Sequence, residues 1–411
     1  MLTKKQKMER LVELGIEINQ ISDLDFMLEK LLSEARHLFS ADAGSIYIKT
    51  EDKLKFSYSQ NHTLQKRLEP GKKLRYTTFS IPIDNNSIAG YVANNGVILN
   101  ISDAYKIPKS YPVSFNSSFD KMVGYHTKSM LTLPLINSRK QIVGVLQLIN
   151  AMNDKGEVVK FAKTDEALVQ HFALYAANAL ERTQMTRTTI MRMISMAELR
   201  DPKETGPHVN RVASYSVEIF EAYAKKKKMP CKDIDAKRDA FRMAAMLHDV
   251  GKVAISDTIL KKPGRFTDKE YEIMKTHTIQ GAQLFNDAQS KFDEISALVA
   301  LNHHEKWDGT GYPGHVDVNT GKPLPGYEDK NSKPRGKRED EIPLEGRIVA
   351  IADVYDALCS RRVYKEAWTE EHVLETLKKD AGSHFDPELV DIFFDIYDVI
   401  SSIGKLYPDN D

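Results

Sequence analysis

The chain has 411 residues, more than one hydrophobic core usually holds, so two or three domains are expected. Lysine plus arginine and aspartate plus glutamate each number 58, which leaves no net positive field to attract DNA or an anionic membrane. The N-terminus has no apolar signal-peptide core, no run approaches the roughly 18 apolar residues of a membrane span, and only two cysteines occur. These features predict a cytoplasmic protein with no DNA partner and no membrane span.

The first 181 residues combine predicted helices with predicted strands. Amphipathic patterns predict helices at about residues 4–20 and 23–39. The segment SIYIKTEDKLKFSYSQ predicts a hairpin, and MLTLPLINSRKQIVGVLQLINA predicts two apolar strands joined by a turn at 137–140. A helix over 163–180 closes the unit. This order, and LTLPLINSRKQIVGVLQLIN in particular, resembles a GAF domain. The resemblance implies an α+β domain over 1–181 that has an antiparallel sheet with helices, senses a small molecule and forms a homodimer.

One segment of this GAF-like region bears on its ligand. Residues 150–166, NAMNDKGEVVKFAKTDE, approximate the asparagine-lysine, phenylalanine and aspartate-glutamate pattern of GAF domains that bind cyclic nucleotides. Phe161, Asp165 and Glu166 fit this pattern, whereas Asp154 separates the asparagine from the lysine. Two interpretations stay open: a turn followed by an acidic helix start, or a site for a cyclic nucleotide.

Residues 172–200 contain neither proline nor glycine and predict a helix that runs on from the first domain, with 182–200 as a connecting helix. Apolar residues recur along it at about helical spacing: Ala173, Ala176, Leu180, Ile190, Met193 and Ile194. This stripe either packs on each domain's own core or forms the seam of a parallel homodimer.

The strongest motif of the chain is HHEKWDGTGYP, residues 303–313. Two adjacent imidazoles and a carboxylate follow an apolar helical stretch, and Gly309, Gly311 and Pro313 then break the helix. The two imidazoles are therefore predicted to lie at the end of a helix, beside a tight loop. An isolated histidine pair at such a place more commonly caps the helix, so the interpretation as metal ligands depends on partners elsewhere.

Candidate partners stand upstream and downstream of this motif. LHDVGK, residues 247–252, puts a histidine next to an aspartate that could bridge two ions. A glutamate and a histidine four residues apart, a later histidine and a late aspartate complete the set: Glu204, His208, His277 and Asp353.

Together these residues closely resemble the HD-GYP family of cyclic di-GMP phosphodiesterases, a subgroup of the HD metal-dependent phosphohydrolases. The resemblance spans about residues 190–400 and implies an all-α HD-domain helical bundle over 201–411. It implies hydrolysis of cyclic di-GMP to linear pGpG, GMP or both, with a cluster of two or three divalent ions. Glu204 is the extra ligand of three-metal members, and the other implied ligands are His208, His248, Asp249, His277, His303, His304 and Asp353.

The ligand chemistry supports a transition metal independently of the family. Five imidazoles and three carboxylates suit iron, manganese or zinc better than calcium or magnesium, and the family implies iron or manganese. Cys231 and Cys359 lack the spacing of a metal site and are predicted to be free thiols.

Roles in catalysis and substrate binding follow. Asp249 is expected to bridge the ions and Lys252 to supply positive charge at the leaving ribose oxygen, although Lys252 could also be a surface lysine at a helix end. Glu305 is expected to hold an imidazole in its ligating tautomer. The resemblance implies substrate contacts from Tyr312, Arg362, Lys365 and Asp308.

Residues 315–341 form a long polar insertion after the GYP tail, and a loop of this length is predicted to be either a lid or disordered. Two other functions fit the same C-terminal residues: a non-catalytic cyclic di-GMP receptor, or an HD phosphohydrolase acting on another nucleotide such as a cyclic GMP-AMP dinucleotide or a nucleoside triphosphate. The full ligand set argues against a receptor, which needs no such set, and GYP argues against a triphosphohydrolase.

Overall fold

The computed structural model divides the chain into two compact units, Met1–Arg187 and Thr188–Asp411. It describes residues 3–68, 79–108, 111–198, 206–359 and 368–408. The domain boundaries predicted from the sequence, at 181 and 200, stay predictions.

The first unit is α+β, as predicted. Its helices are α1 (Lys4–Glu17), α2 (Leu24–Leu38), α3 (His62–Gln65), α4 (Ile88–Asn95), α5 (Ser118–Val123) and α6 (Glu166–Glu198). Its strands are β1 (Ala41–Thr50), β2 (Lys53–Asn61), β3 (Ser80–Pro82), β4 (Leu99–Ile101), β5 (Met130–Ile136), β6 (Ile142–Met152) and β7 (Val158–Val159).

These strands form one antiparallel sheet with the order β3-β2-β1-β6-β5-β4, and β7 pairs with β6. The predicted hairpin is β1 and β2, where Ile46 lies opposite Tyr58 and a bulge follows Ile46. The two predicted apolar strands are β5 and β6, where Leu133 lies opposite Leu146. Strands β5 and β6 are apolar along most of their length because helices cover both faces of the sheet, so side chains pointing to either face are buried.

Helices α1, α2 and α6 cover one face of this sheet, where Leu14, Leu31, Leu146 and Phe172 belong to one buried cluster. The Asp23 side chain caps α2 by accepting a hydrogen bond from the Phe26 nitrogen at 2.8 Å. Helix α4 covers the opposite face with a second buried cluster. Local capping and apolar periodicity therefore account for the helices of this unit.

Helix α6 is continuous from Glu166 to Glu198, so the predicted helix does run on from the first unit. Five of the six residues of the predicted stripe are buried in the chain: Ala173, Ala176, Leu180, Ile190 and Ile194. Met193 is exposed. The buried stripe therefore packs within the chain itself, and an intermolecular seam along α6 would need other residues.

The second unit is helical, as predicted. Its helices are α7 (Gly206–Lys226), α8 (Cys231–Met246), α9 (Asp257–Leu260), α10 (Asp268–Lys275), α11 (His277–Gln283), α12 (Lys291–Asn302), α13 (Leu344–Cys359), α14 (Glu370–Lys379), α15 (Pro387–Asp395) and α16 (Tyr397–Leu406). A 3-10 helix, Val250–Ala254, follows α8.

The core of this unit is built around α7 and α12. Helix α7 packs against α8, α13, α15 and α16, and α12 packs against α8, α11 and α13. Phe220 of α7 meets Phe241 of α8 edge to face, with ring centroids 5.9 Å apart. This packing brings one end of α8, α11 and α12 together with the middle of α13.

Two further findings concern the whole described chain. Both cysteines are free, as predicted. Among the described residues, no helix is both long enough and apolar enough to cross a membrane.

Candidate metal centre

Seven of the eight predicted metal ligands lie in two adjacent clusters of the helical unit. In each cluster the donor atoms are all within 4.8 Å of one another. The first cluster is Asp249, His277, His303 and His304, and the second is His208, His248 and Asp353. The eighth residue, Glu204, lies outside the described residues. Their assignment as ligands stays a prediction, but the fold brings the seven side chains together.

His248 and Asp249 join the two clusters. The His248 Nε2 atom lies 3.4 Å from Asp249 Oδ2 in the first cluster and 3.9 Å from Asp353 Oδ1 in the second. Asp353 Oδ1 is in turn 3.7 Å from His208 Nε2. Asp249 thus lies at the border of the two clusters, which is where a bridging ligand would be needed.

Three of these histidines each follow the end of a helix and donate a hydrogen bond back to its last turn. His248 Nδ1 bonds the Ala245 carbonyl oxygen at 2.9 Å, and His277 Nδ1 bonds that of Met274 at 2.7 Å. His303 Nδ1 lies 3.1 Å from two carbonyl oxygens of α12. The last carbonyls of a helix lack an intrahelical partner, so these imidazoles cap the helix and carry their hydrogen on Nδ1.

This tautomer leaves the Nε2 lone pairs facing the centre of the first cluster. His277 Nε2 lies 3.5 Å from His303 Nε2, and Asp249 Oδ1 lies 3.1 Å from the former and 3.5 Å from the latter. Atoms with lone pairs and no hydrogen repel one another at these distances unless a cation lies between them. The donor set therefore fits a bound divalent cation.

Charge states agree with this conclusion. Burial lowers the pKa of His303, and burial together with the neighbouring imidazoles lowers the pKa of His304 well below its ordinary value. Burial raises the pKa of Asp249, but the neighbouring Lys252 ammonium lowers it, and the net shift holds the pKa of this carboxylate well below its usual range. Neutral imidazoles and an ionised carboxylate are the forms that bind a metal.

A close backbone approach sets the position of Asp249. A Cβ added at Gly251 would lie 1.9 Å from the His277 carbonyl oxygen and 2.4 Å from the Gly281 nitrogen. A Cβ at Gly281 would lie 3.1 Å from that of Ala300 in α12. Only glycine at residue 251 lets the loop after α8 lie directly on α11.

Sequence reasoning missed the partner of His208. Asp356 is buried, and its Oδ2 accepts the hydrogen of His208 Nδ1 at 2.8 Å. Arg211 donates to both oxygens of Asp356, at 2.6 and 2.9 Å. A carboxylate in this position fixes the tautomer of a ligating imidazole. Its signal was its spacing, because Asp356 follows Asp353 by one helical turn of α13.

Lys252 and Tyr312 lie beside the first cluster. The Lys252 ammonium is 2.6 Å from Asp249 Oδ2. The Tyr312 ring stacks on the His304 ring with a centroid distance of 4.8 Å. Asp308 Oδ1 accepts hydrogen bonds from the Thr310 nitrogen and hydroxyl at 2.9 and 2.6 Å, an arrangement that orders the loop. Arg362 and Lys365 lie outside the described residues.

The predicted role of Glu305 is wrong. Its carboxylate accepts hydrogen bonds from the backbone nitrogens of Gly314 and Lys337 rather than from an imidazole. The Nδ1 atoms of three predicted ligands, His248, His277 and His303, already donate to backbone carbonyls, so these atoms have no hydrogen left for Glu305. Glu305 instead holds the loop that follows the histidine pair.

Comparison with known proteins agrees with both units. A family model described as the HD domain matches residues 205–358, a second HD domain model matches 329–389, and a GAF domain model matches 23–180.

Three curated relatives match the C-terminal part of the chain. The 3'3'-cGAMP-specific phosphodiesterase 2 of Vibrio cholerae is 34% identical over 226 residues, which cover 55% of this chain and 38% of the relative. A cyclic di-GMP phosphodiesterase of Vibrio cholerae is 36% identical over 242 residues, covering 56% and 45%. The cyclic di-GMP phosphodiesterase response regulator RpfG of Xanthomonas campestris is 45% identical over 149 residues, covering 36% and 34%. The chain thus spans less than half the length of each of these relatives.

The helical fold, its histidine-aspartate clusters and the match to the family model identify an HD domain in the second unit. The chain thus contains a GAF domain followed by an HD domain, and its C-terminal part, which carries the HHEKWDGTGYP motif, is similar to curated cyclic di-GMP phosphodiesterases.

Proposed function

We propose that the chain is a metal-dependent phosphodiesterase that hydrolyses cyclic di-GMP to linear pGpG, GMP or both. The observation that carries this proposal is the convergence of the Asp249 carboxylate with the Nε2 lone pairs of His277 and His303, which a divalent cation would stabilise. Relatives named cyclic di-GMP phosphodiesterases share this unit, which supports the substrate.

We propose two or three divalent ions, of iron or manganese, at this centre. The ligands would be the seven clustered residues, and Glu204 would bind a third ion. Divalent ions at such a site supply Lewis acidity toward a phosphodiester and an attacking water. Metal analysis and anomalous scattering of anaerobically purified, fully loaded protein test the ion count. Only two ions would refute the role of Glu204.

The side chains around the ions would orient the substrate and assist the leaving group. Asp249 lies at the border of both clusters, which supports its role as the bridging ligand. The Lys252 ammonium lies 2.6 Å from Asp249, beside the proposed ions, and would supply positive charge or a proton to the leaving ribose oxygen. Tyr312, stacked on His304, would contact the substrate at the edge of the site, together with Arg362, Lys365 and the loop ordered by Asp308.

The deciding experiment is chromatography of the products formed from cyclic di-GMP by the metal-loaded protein under anaerobic conditions. We expect pGpG or GMP from the wild type and none from Asp249→Asn, which keeps the size of the side chain but removes its charge. Binding of cyclic di-GMP without turnover by the fully loaded wild type would refute the proposed activity and indicate a receptor.

A cyclic GMP-AMP dinucleotide is the second candidate substrate. It is favoured by the similarity to the Vibrio cholerae protein named for 3'3'-cGAMP, at 34% identity over 55% of this chain. The two phosphodiester groups are chemically the same, so the metal centre itself would not distinguish the two substrates. Competition between the two dinucleotides at equal concentration measures the ratio of kcat/KM and decides which one the protein prefers.

We further propose that the first unit forms a homodimer and regulates the phosphodiesterase through a small-molecule ligand, with a cyclic nucleotide as one candidate. Met8, Val12 and Ile16 lie on one exposed line of α1, and Leu174 and Met185 are exposed on α6. The Gly15 backbone lies against the Tyr175 ring, so the two helices are neighbours. An exposed apolar surface of this kind is suited to a second copy of the chain. The cytoplasmic location stays a prediction from the sequence.

The dimer is tested by the molar mass of the full chain in solution. Replacing Val12 and Ile16 by lysine is expected to give a monomer, whereas replacing Lys5, an exposed residue on the same helix, by alanine leaves the mass unchanged. Inserting two residues after Arg182 would turn the following helix by about 200 degrees. Unchanged activity of that variant, with and without GAF ligands, would contradict regulation through α6.

A further inference from the structure

The insertion at 315–341 has two stems, and both meet at Glu305, directly after the histidine pair. The Gly314 nitrogen, at the first stem, donates to Glu305 Oε1 at 2.5 Å. The Lys337 nitrogen, at the second stem, donates to Glu305 Oε2 at 3.3 Å. One buried carboxylate therefore ties both ends of the insertion to the segment that carries His303 and His304.

The side chain of Lys337 extends this connection to the other side of the pair. Its Nζ donates to Asn302 Oδ1 at 2.5 Å, and the Asn302 side chain is almost fully buried. The amide nitrogen of Asn302 donates to the Leu298 carbonyl oxygen at 2.8 Å, which directs Oδ1 away from α12. Lys337 thus contacts the residue before the histidine pair with its side chain and the residue after it with its backbone.

Burial gives these contacts their importance. Glu305 is 2% exposed, so its carboxylate oxygens need hydrogen-bond donors from the protein, and the two stems of the insertion supply them. The backbone around Asn302 has little freedom to adjust, because a Cβ on Gly346 of α13 would lie 2.6 Å from the Asn302 Cβ.

We propose that Lys337 is a positioning residue of the metal centre. It fixes residues 302–305 from both sides, so that Nε2 of His303 and one ring nitrogen of His304 stay close to the Asp249 carboxylate. The insertion, predicted from the sequence to be a lid or disordered, then holds the two proposed metal ligands His303 and His304 in position. This inference rests on the proposed metal centre, but not on the identity of the nucleotide substrate.

The test measures metal binding by the full chain without substrate. Mn²⁺ affinity and the Mn²⁺ electron paramagnetic resonance spectrum are compared for wild type, Lys337→Met, Lys337→Arg and Lys333→Met. Lys333 is a matched control, because it is an exposed lysine of the same insertion that pairs with Glu272 at 3.7 Å. Loss of a residue that orients a ligand weakens metal binding by about 10- to 100-fold. We expect this loss in Lys337→Met, with a changed spectrum, and partial recovery in Lys337→Arg.

The outcomes separate the inference from the proposed function. Wild-type affinity and spectrum in a folded Lys337→Met protein, or an equal loss in Lys333→Met, overturn the role of Lys337. If Lys337→Met fails to fold, Lys337→Gln decides: weaker Mn²⁺ binding supports the role and unchanged binding overturns it. A wild type that binds no Mn²⁺ removes the metal centre and this inference together. A wild type that binds Mn²⁺ but leaves cyclic dinucleotides intact refutes only the proposed activity.

Discussion

Replacing Gly251 by alanine is the most direct perturbation of the proposed metal centre that leaves every ligand in place. The added Cβ would lie 1.9 Å from the His277 carbonyl oxygen, whereas real Cβ contacts do not fall below 3.0 Å. The loop after α8 and helix α11 must therefore move apart by about 1 Å. Because the opposing atoms belong to the backbone, no side chain can rotate to relieve the contact.

The expected magnitudes follow from this displacement. Overpacking of a core costs about 1–3 kcal/mol, and the melting temperature of a unit this size falls by about 2–4 °C per kcal/mol. Metal–ligand bonds tolerate only about 0.2 Å, so a shift of about 1 Å between Asp249 and His277 should weaken metal binding. A misplacement of that size lowers turnover by about 100-fold.

The assays are thermal unfolding of the metal-free chain, metal content after loading, and the rate of cyclic di-GMP hydrolysis. Gly404→Ala is the matched control, because its added Cβ would lie 3.5 Å from the Tyr215 hydroxyl, an ordinary contact. A Gly251→Ala protein with the melting temperature, metal content and rate of the Gly404→Ala protein would refute the reasoning.

Three further outcomes are expected. Asp249→Ala should abolish turnover and reduce the bound metal, as measured by product chromatography and metal analysis; full turnover would remove Asp249 from the mechanism. Asp356→Ala should destabilise the chain by about 3–5 kcal/mol in denaturant unfolding, because it leaves the buried Arg211 without its carboxylate, and a loss below about 1 kcal/mol would contradict this. Burial lowers the pKa of His384 to about 4 and also lowers that of His303, so the unfolded chain, with imidazole pKa values of about 6.5, binds more protons than the folded one. The metal-free chain should therefore have the full contribution of these two neutral imidazoles to its stability above about pH 6.5 and lose that contribution as the pH falls toward 4. A melting temperature that rises as the pH falls over this range would contradict the sign.

The sequence predicted those parts of the fold that depend on local pattern. The predicted hairpin became β1 and β2, the two predicted apolar strands became β5 and β6, and the apolar helical stretch before His303 became the end of α12. The stripe along α6 shows where periodicity stops being informative. Helical spacing indicates which residues share a face, but not what covers that face, and Ala176 and Leu180 are covered by the chain itself.

Contacts between distant residues were not predictable in the same way. Asp356 pairs with His208 across 148 positions, and Lys337 reaches Asn302 across 35. The local pattern identifies neither pairing. Asp356 follows Asp353 by one turn of α13, but this spacing does not say which distant residue Asp356 contacts, and Lys337 resembles any other polar loop residue in the sequence. The error about Glu305 had the same origin, since its proximity to the histidines in the chain suggested a contact that the fold does not make.

Three of the candidate metal ligands share one local arrangement, a histidine just after the end of a helix, which the sequence can reveal. His248, His277 and His303 each return their Nδ1 hydrogen to a carbonyl three or four residues earlier, so the bond that caps the helix also selects Nε2 for the metal. The orientation of these imidazoles is therefore a local property, encoded by a helix that ends just before a histidine. The spacing between ligands, in contrast, depends on close approaches such as that of Gly251 to α11, which are long-range properties of the packing. The local pattern thus identifies the candidate ligands, and the tertiary fold determines whether they can bind one cation together.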